Sequence, residues 1–216
     1  ASTNARVENN SSITVTTAPA ATPTINLTGS NSALTTTYGS ASATTSFGID
    51  GSDMTNSIVV GPLAGFEFAD NSVGTYFSTL TLPNASTVSK TILVRLAANT
   101  PFGTYSGNIP VTSTGAASQS ISIPVSTVNA KSISITGLTA NNKPFDGNTD
   151  ATLSGTPSLV GVESADISNV ILGGTAIATF ASSAVANGIA VSVIGYTISG
   201  SASANYTLTQ PTGLTA

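Results

Sequence analysis

Ser120-Ile121-Ser122-Ile123 and Ser132-Ile133-Ser134-Ile135 are two copies of one pattern, hydroxyl then aliphatic, lying on either side of Asn129-Ala130. Successive side chains on a β-strand point to opposite faces, so each run puts its isoleucines on one face and its serines on the other. A helix, with its 3.6-residue period, has no use for such a pattern. The same alternation recurs at Ser12-Ile13-Thr14-Val15-Thr16, Thr24-Ile25-Asn26-Leu27-Thr28 and Ala190-Val191-Ser192-Val193. Turn dipeptides punctuate the chain at Asp50-Gly51, Gly61-Pro62, Asp146-Gly147, Gly173-Gly174 and Asn187-Gly188. No segment carries a capped helical stripe. The expectation is an all-β protein of antiparallel sandwiches with half-buried strands.

The 216 residues suffice for two such domains. One alternating strand ends near Val128 and the next begins near Ser132, which leaves no room for a flexible linker and predicts a stiff rod. The expected division is an N-terminal extension over 1–23, a first sandwich over 24–129 and a second β domain over 130–216. Pro19 and Pro23 fence off the strand at Ser11–Thr17, with Ile13 and Val15 on one face, so this strand reads as separable from the domain that follows.

Composition narrows the function. The chain has no His, Cys or Trp, nine carboxylates and five cations, while Ser and Thr make up about three residues in ten. It therefore lacks most of the side chains that serve as bases, nucleophiles and metal ligands. No basic cluster tracks a phosphate backbone, which argues against nucleic acid, and no apolar run approaches the length of a membrane span. A surface of hydroxyls and amides with a net charge of −4 lets identical copies lie side by side without strong repulsion. Export is expected from the low charge, the abundant Thr and the β patterning. Stability must come from packing and strand ladders, since there are no disulfides.

Few residues stand out as candidate sites. Asp146 and Asp150 flank a glycine turn and could bind Ca²⁺, although Asp146 bonding its own backbone ahead of Gly147 is the simpler reading. Asp50-Gly51-Ser52-Asp53 reads as a hairpin turn. Glu67 and Arg95 each sit inside an otherwise apolar strand, where they either pair across the sheet or face solvent singly. No other cofactor is expected. Scattered acids without aromatic platforms disfavour glycosidase chemistry, and the Thr runs lack the regular period of an ice-binding array.

Lys143-Pro144-Phe145-Asp146-Gly147-Asn148-Thr149-Asp150, Leu159-Val160-Gly161-Val162, Ala178-Thr179-Phe180-Ala181, Gly195-Tyr196-Thr197-Ile198-Ser199-Gly200 and Asn205-Tyr206-Thr207-Leu208-Thr209-Gln210-Pro211 follow one another in an order that resembles the YDG domain of bacterial surface and secreted proteins. Phe145 stands where that family's name has Tyr, and Ser164-Ala165-Asp166 replaces its more acidic pair. The preceding region is similar to an Ig-like sandwich found beside it in large Bacteroidetes-type extracellular proteins. It is carried by Tyr38-Gly39-Ser40-Ala41-Ser42, Ala64-Gly65-Phe66-Glu67, Ile92-Leu93-Val94-Arg95-Leu96 and Gly103-Thr104-Tyr105-Ser106-Gly107-Asn108-Ile109. These resemblances imply two tandem Ig-like β-sandwich domains acting as a non-enzymatic, extracellular structural module of a surface fibre, stalk or adhesin. Its partners would be copies of itself or adjacent repeats. One alternative is a self-polymerising filament subunit, in which the Ile13–Val15 strand fills a strand position left open beside residues 205–216 of a neighbour, where the family commonly adds a further strand. Another is a carbohydrate- or receptor-binding adhesin domain. The aromatic residues Phe145, Phe180, Tyr196 and Tyr206 are expected to anchor the second core.

Overall fold

The structure, a computed structural model, describes residues 21–216. The strand expected around Ile13 and Val15 lies outside the described residues. Every long element is a strand, and helical geometry among the described residues is confined to two single 3-10 turns at Ser164–Asp166 and Ser203–Asn205.

Nine strands of the described residues precede Ala130: β1 (Thr24–Thr28), β2 (Thr35–Thr37), β3 (Thr45–Ser52), β4 (Ile58–Val60), β5 (Phe66–Asp70), β6 (Leu80–Leu82), β7 (Thr87–Leu96), β8 (Gly103–Thr112) and β9 (Gln119–Asn129). They form a four-stranded sheet in the order β1-β3-β7-β5 and a five-stranded sheet in the order β2-β9-β8-β4-β6. All pairs are antiparallel except β2 with β9, which is parallel. Period-2 alternation sets which side chains go inside. Ile92, Val94 and Leu96 of β7 are fully buried, as are Ile109 and Val111 of β8, and the residues between them are more exposed. Phe47, Phe66 and Phe68 from one sheet meet Ile58, Val60 and Leu82 from the other in a single core.

Asp50-Gly51 is not a hairpin turn. Both residues lie inside β3, where Asp50 faces Asn26 and Ser89, and the positive φ of 54° comes later, at Asp53. Gly51 answers to packing instead: a Cβ there would stand 3.0 Å from Met54 Cγ and 3.2 Å from Ile58 Cδ1. Spacing alone does not distinguish a glycine kept for a turn from one kept for a close approach.

Seven strands follow Ala130: β10 (Lys131–Ala140), β11 (Asp150–Ala151), β12 (Leu153–Val160), β13 (Ile171–Phe180), β14 (Ala190–Ser199), β15 (Tyr206–Thr209) and β16 (Leu214–Thr215). They form a three-stranded sheet, β12-β10-β15, and a four-stranded sheet, β11-β13-β14-β16. Here the apolar interior is split in two. Ile133, Val170, Ala202 and Tyr206 gather near Ala130, while Phe180, Val191 and Val193 gather toward the other end with Ala140 and Leu214. Gly173-Gly174, expected as a turn, lies inside β13 at an irregularity in its pairing with β14.

Three of the four expected aromatic anchors lie in or against these clusters: Phe180 and Tyr206 are buried, and Tyr196 is half-buried. Phe145 is the exception at 71% exposed. It rides the tip of the loop between β10 and β11, and the side chain that this loop lays over the Phe180 ring is Lys143, with Nζ 5.7 Å from the ring centroid. The expectation failed because a scarcity of aromatics does not tell a strand position from a loop tip.

Phe180→Ala is expected to cost about 3 to 5 kcal/mol, the usual range for truncating a buried Phe, whereas Phe145→Ala stays within about 0.5 kcal/mol as a surface change. Urea denaturation of both variants checks this, and equal losses would contradict the assignment.

Candidate functional site

β9 ends at Asn129 and β10 starts at Lys131, so one strand passes into the next through Ala130 alone. Around that passage lies a polar network that joins side chains from both sides of it. Asp166, carried by the first 3-10 turn, is buried, and its Oδ2 accepts two phenol hydrogens, from Tyr206 at 2.6 Å and from Tyr38 at 2.8 Å. Tyr206 opens β15, and Tyr38 follows β2, whose last residue Thr37 pairs with Asn129. One carboxylate oxygen thus bonds groups on both sides of Ala130. The two rings meet edge to face with centroids 5.5 Å apart, and the Tyr206 hydroxyl also accepts from the Glu163 N–H at 3.1 Å. A second strap runs from the Phe102 N–H to Asn205 Oδ1 at 2.9 Å.

Lys131 Nζ pairs with Glu163 Oε1 beside this network. Gly39 passes the same carboxylate with φ 88°, a left-handed conformation that favours glycine, while a Cβ there would meet the movable end of the Glu163 side chain. Burial, then the bond to Asp166, pushes the Tyr38 phenol up to about 12, and the same two causes raise Tyr206 as well. The arrangement is a clasp: desolvated, charge-assisted hydrogen bonds hold the two ends of the passage together. The sequence names Tyr38 and Asp166 only as parts of motifs and Tyr206 as a core anchor, and nothing in it brings the three together. Local sequence around Glu163-Ser164-Ala165-Asp166 carries no signal that Asp166 meets two distant phenols.

The expected structural pair is cross-strand. Glu67 of β5 faces Arg95 of β7, and Arg95 Nε donates to Glu67 Oε1 at 2.6 Å. The guanidinium also stacks on the Tyr76 ring, 3.6 Å from its centroid. A further ion pair went unread in the sequence. Asp70, buried at the end of β5, accepts from Lys90 Nζ at 2.7 Å and from the Ser72 N–H. Burial pushes its carboxyl up, but Lys90 and Ser72 outweigh this and hold it below the usual carboxylate range.

Asp146 and Asp150 are placed on one exposed loop, with Asn148 between them. Lys143 Nζ lies 2.9 Å from Asp146 Oδ1 and 3.1 Å from Oδ2, and the Asn148 N–H donates to Oδ1. The Asp150 N–H donates to Asn148 Oδ1. Lysine and amide donors therefore take up the Asp146 carboxylate, an Asx-type turn with an internal cation. Lys143, followed by the Asn148 N–H, holds Asp146 below the usual range. No group of three or more Asp or Glu converges as an ion site among the described residues.

Residues 129–213 match the YDG domain, and a YDG domain is found over that stretch. The match begins at the last residue of β9 and takes in the clasp's Asp166 and Tyr206, while Tyr38 lies outside it. No curated protein matches the chain.

Two predictions follow from this geometry. A phenol whose folded pKa exceeds its ordinary value stabilises the fold below about pH 10, and that contribution is lost as pH rises through the folded value, about 12 for Tyr38. Absorbance titration at alkaline pH should therefore show Tyr38 and Tyr206 ionising after an ordinary tyrosine, with the melting temperature falling over the same window. Tyr38→Phe should remove one late phenol, and five tyrosines titrating together would refute the clasp. Arg95→Ala is expected to cost about 1 kcal/mol by denaturant titration, the scale of a half-exposed cross-strand ion pair with a ring beneath it.

Proposed function

We propose that this chain is a non-enzymatic structural module of an extracellular bacterial fibre, stalk or adhesin, built as two tandem Ig-like β-sandwich domains whose rigid junction is the working part. The observation that carries this reading is the single-residue passage at Ala130, closed over by Tyr38, Asp166 and Tyr206. A linker of one residue plus a buried clasp suppresses the bending that short interdomain contacts otherwise allow. The module then transmits length and orientation, with copies of itself or adjacent repeats as neighbours. The uncharged hydroxyl surface suits side-by-side packing outside the cell, and the resemblance of both halves to Bacteroidetes-type surface proteins supports the same setting.

The chain contains no cysteine, so spin labels can be placed singly at Thr81 and Thr179 through engineered thiols. Pulsed electron resonance should give one narrow distance distribution, and Asp166→Ala should broaden it while both halves stay folded. A broad distribution in the unaltered protein would remove the rigid-spacer reading. Protease shaving of intact cells that leaves the protein untouched would remove the surface assignment.

A further inference from the structure

The two sheets that follow Ala130 are closed on one flank and open on the other. On the closed flank the chain crosses from β15 to β16, and Gln210 behaves like a strand partner: its Oε1 accepts the Tyr196 N–H at 3.1 Å and its Nε2 donates to the Tyr196 carbonyl at 2.8 Å. The segment expected to border an open strand position, residues 205–216, thus supplies β15, β16 and this side-chain bridge. The opposite flank is different. Among the described residues β12 pairs only with β10, and β13 pairs along Ile171–Ile177 only with β14, since β11 reaches no further than Ala178 and Thr179.

Between these two edges lies a cavity of about 370 Å³ with a mostly apolar wall that includes Leu159, Val162, Ile167, Val170 and Leu172. Ile167 of its lining is 68% exposed, and Ile171, the first residue of β13, is 57% exposed. The edges are not equivalent. Pro157 interrupts the row of donors on β12, a usual way of blunting an edge, whereas β13 runs through Leu172, Gly173 and Gly174 with its N–H groups intact. The interior beside it is the divided one, so one more inward-facing strand would join the two apolar clusters into a single core.

We propose that this groove takes the N-terminal strand Ser11–Thr17 of a second copy of the chain, added along the β13 edge with Ile13 and Val15 turned inward. The segment has seven residues, as does the open stretch Ile171–Ile177, and its Ser and Thr alternate outward as they do in the chain's other strands. The chain's own strand cannot reach the groove. Pro23 lies against Gly115 at the turn between β8 and β9, and β9 then runs about 33 Å before Ala130. Eight residues from Val15 to Pro23 span at most about 28 Å. The occupant must come from another molecule, which makes the contact head-to-tail and able to propagate.

The inference extends the structural-module reading without depending on the clasp. A labelled peptide of residues 10–18 is titrated into the full-length protein, read by fluorescence anisotropy, with light scattering of the protein alone across concentration. Saturable binding is expected, together with mass that grows with concentration. Leu172→Asp and the exposed Ile167→Asp should each weaken binding tenfold or more, the second without threatening the fold, and a peptide carrying Ile13→Asp and Val15→Asp should not bind. Absence of saturable binding at millimolar protein, or binding undiminished in both groove variants, would overturn the proposal. This assay reads the groove and the spin-label distances read the junction, so either reading can fail alone.

Discussion

The shared oxygen of Asp166 is the interaction on which the relation between the two halves of the molecule depends. A carboxylate with little access to water is costly unless hydrogen-bonded, and here most of that satisfaction comes from two phenols on opposite sides of Ala130. Opening the junction would strip Tyr38 from Asp166 and part the edge-to-face ring pair. Asp166 is one of two buried acids among the described residues, and it is the one whose partners come from both sides of Ala130.

The two halves reach stability by different means. Among the described residues before Ala130, nineteen buried side chains form one continuous cluster enclosed by nine strands. Beyond it, the buried clusters hold only four and three residues, with large aliphatics such as Ile177 and Ile194 left on the outer face of the β13-β14 pair. Apolar burial is the main favourable term in folding. The second half therefore encloses less apolar surface, and along Ile171–Ile177 its β13 edge pairs with β14 alone among the described residues.

Charge is used sparingly and locally. Glu67 with Arg95, Asp70 with Lys90, Asp146 with Lys143 and Glu163 with Lys131 account for four of the five cations. Little basic charge is left over to form an extended patch. What faces solvent is chiefly hydroxyl and amide, a coat that hydrates well and repels weakly.

The sequence by itself determined the all-β class and the inward-facing residues. Period-2 alternation fixes which face each side chain takes once a segment is a strand, and the strands at Thr24–Thr28, Ser120–Ile123, Ser132–Ile135 and Ala190–Val193 were legible for that reason. It also pointed to Glu67 and Arg95, because charges within apolar strands call for partners. Only the tertiary structure decided that Asp50-Gly51 and Gly173-Gly174 are strand interior, that Phe145 stands in solvent, and that Tyr38, Asp166 and Tyr206 converge from as far as 128 residues apart. The physical reason is the same in each case. Glycine serves turns and close approaches alike, and which of the two operates depends on neighbours that local pattern does not name; so does the meeting of one carboxylate with two distant phenols.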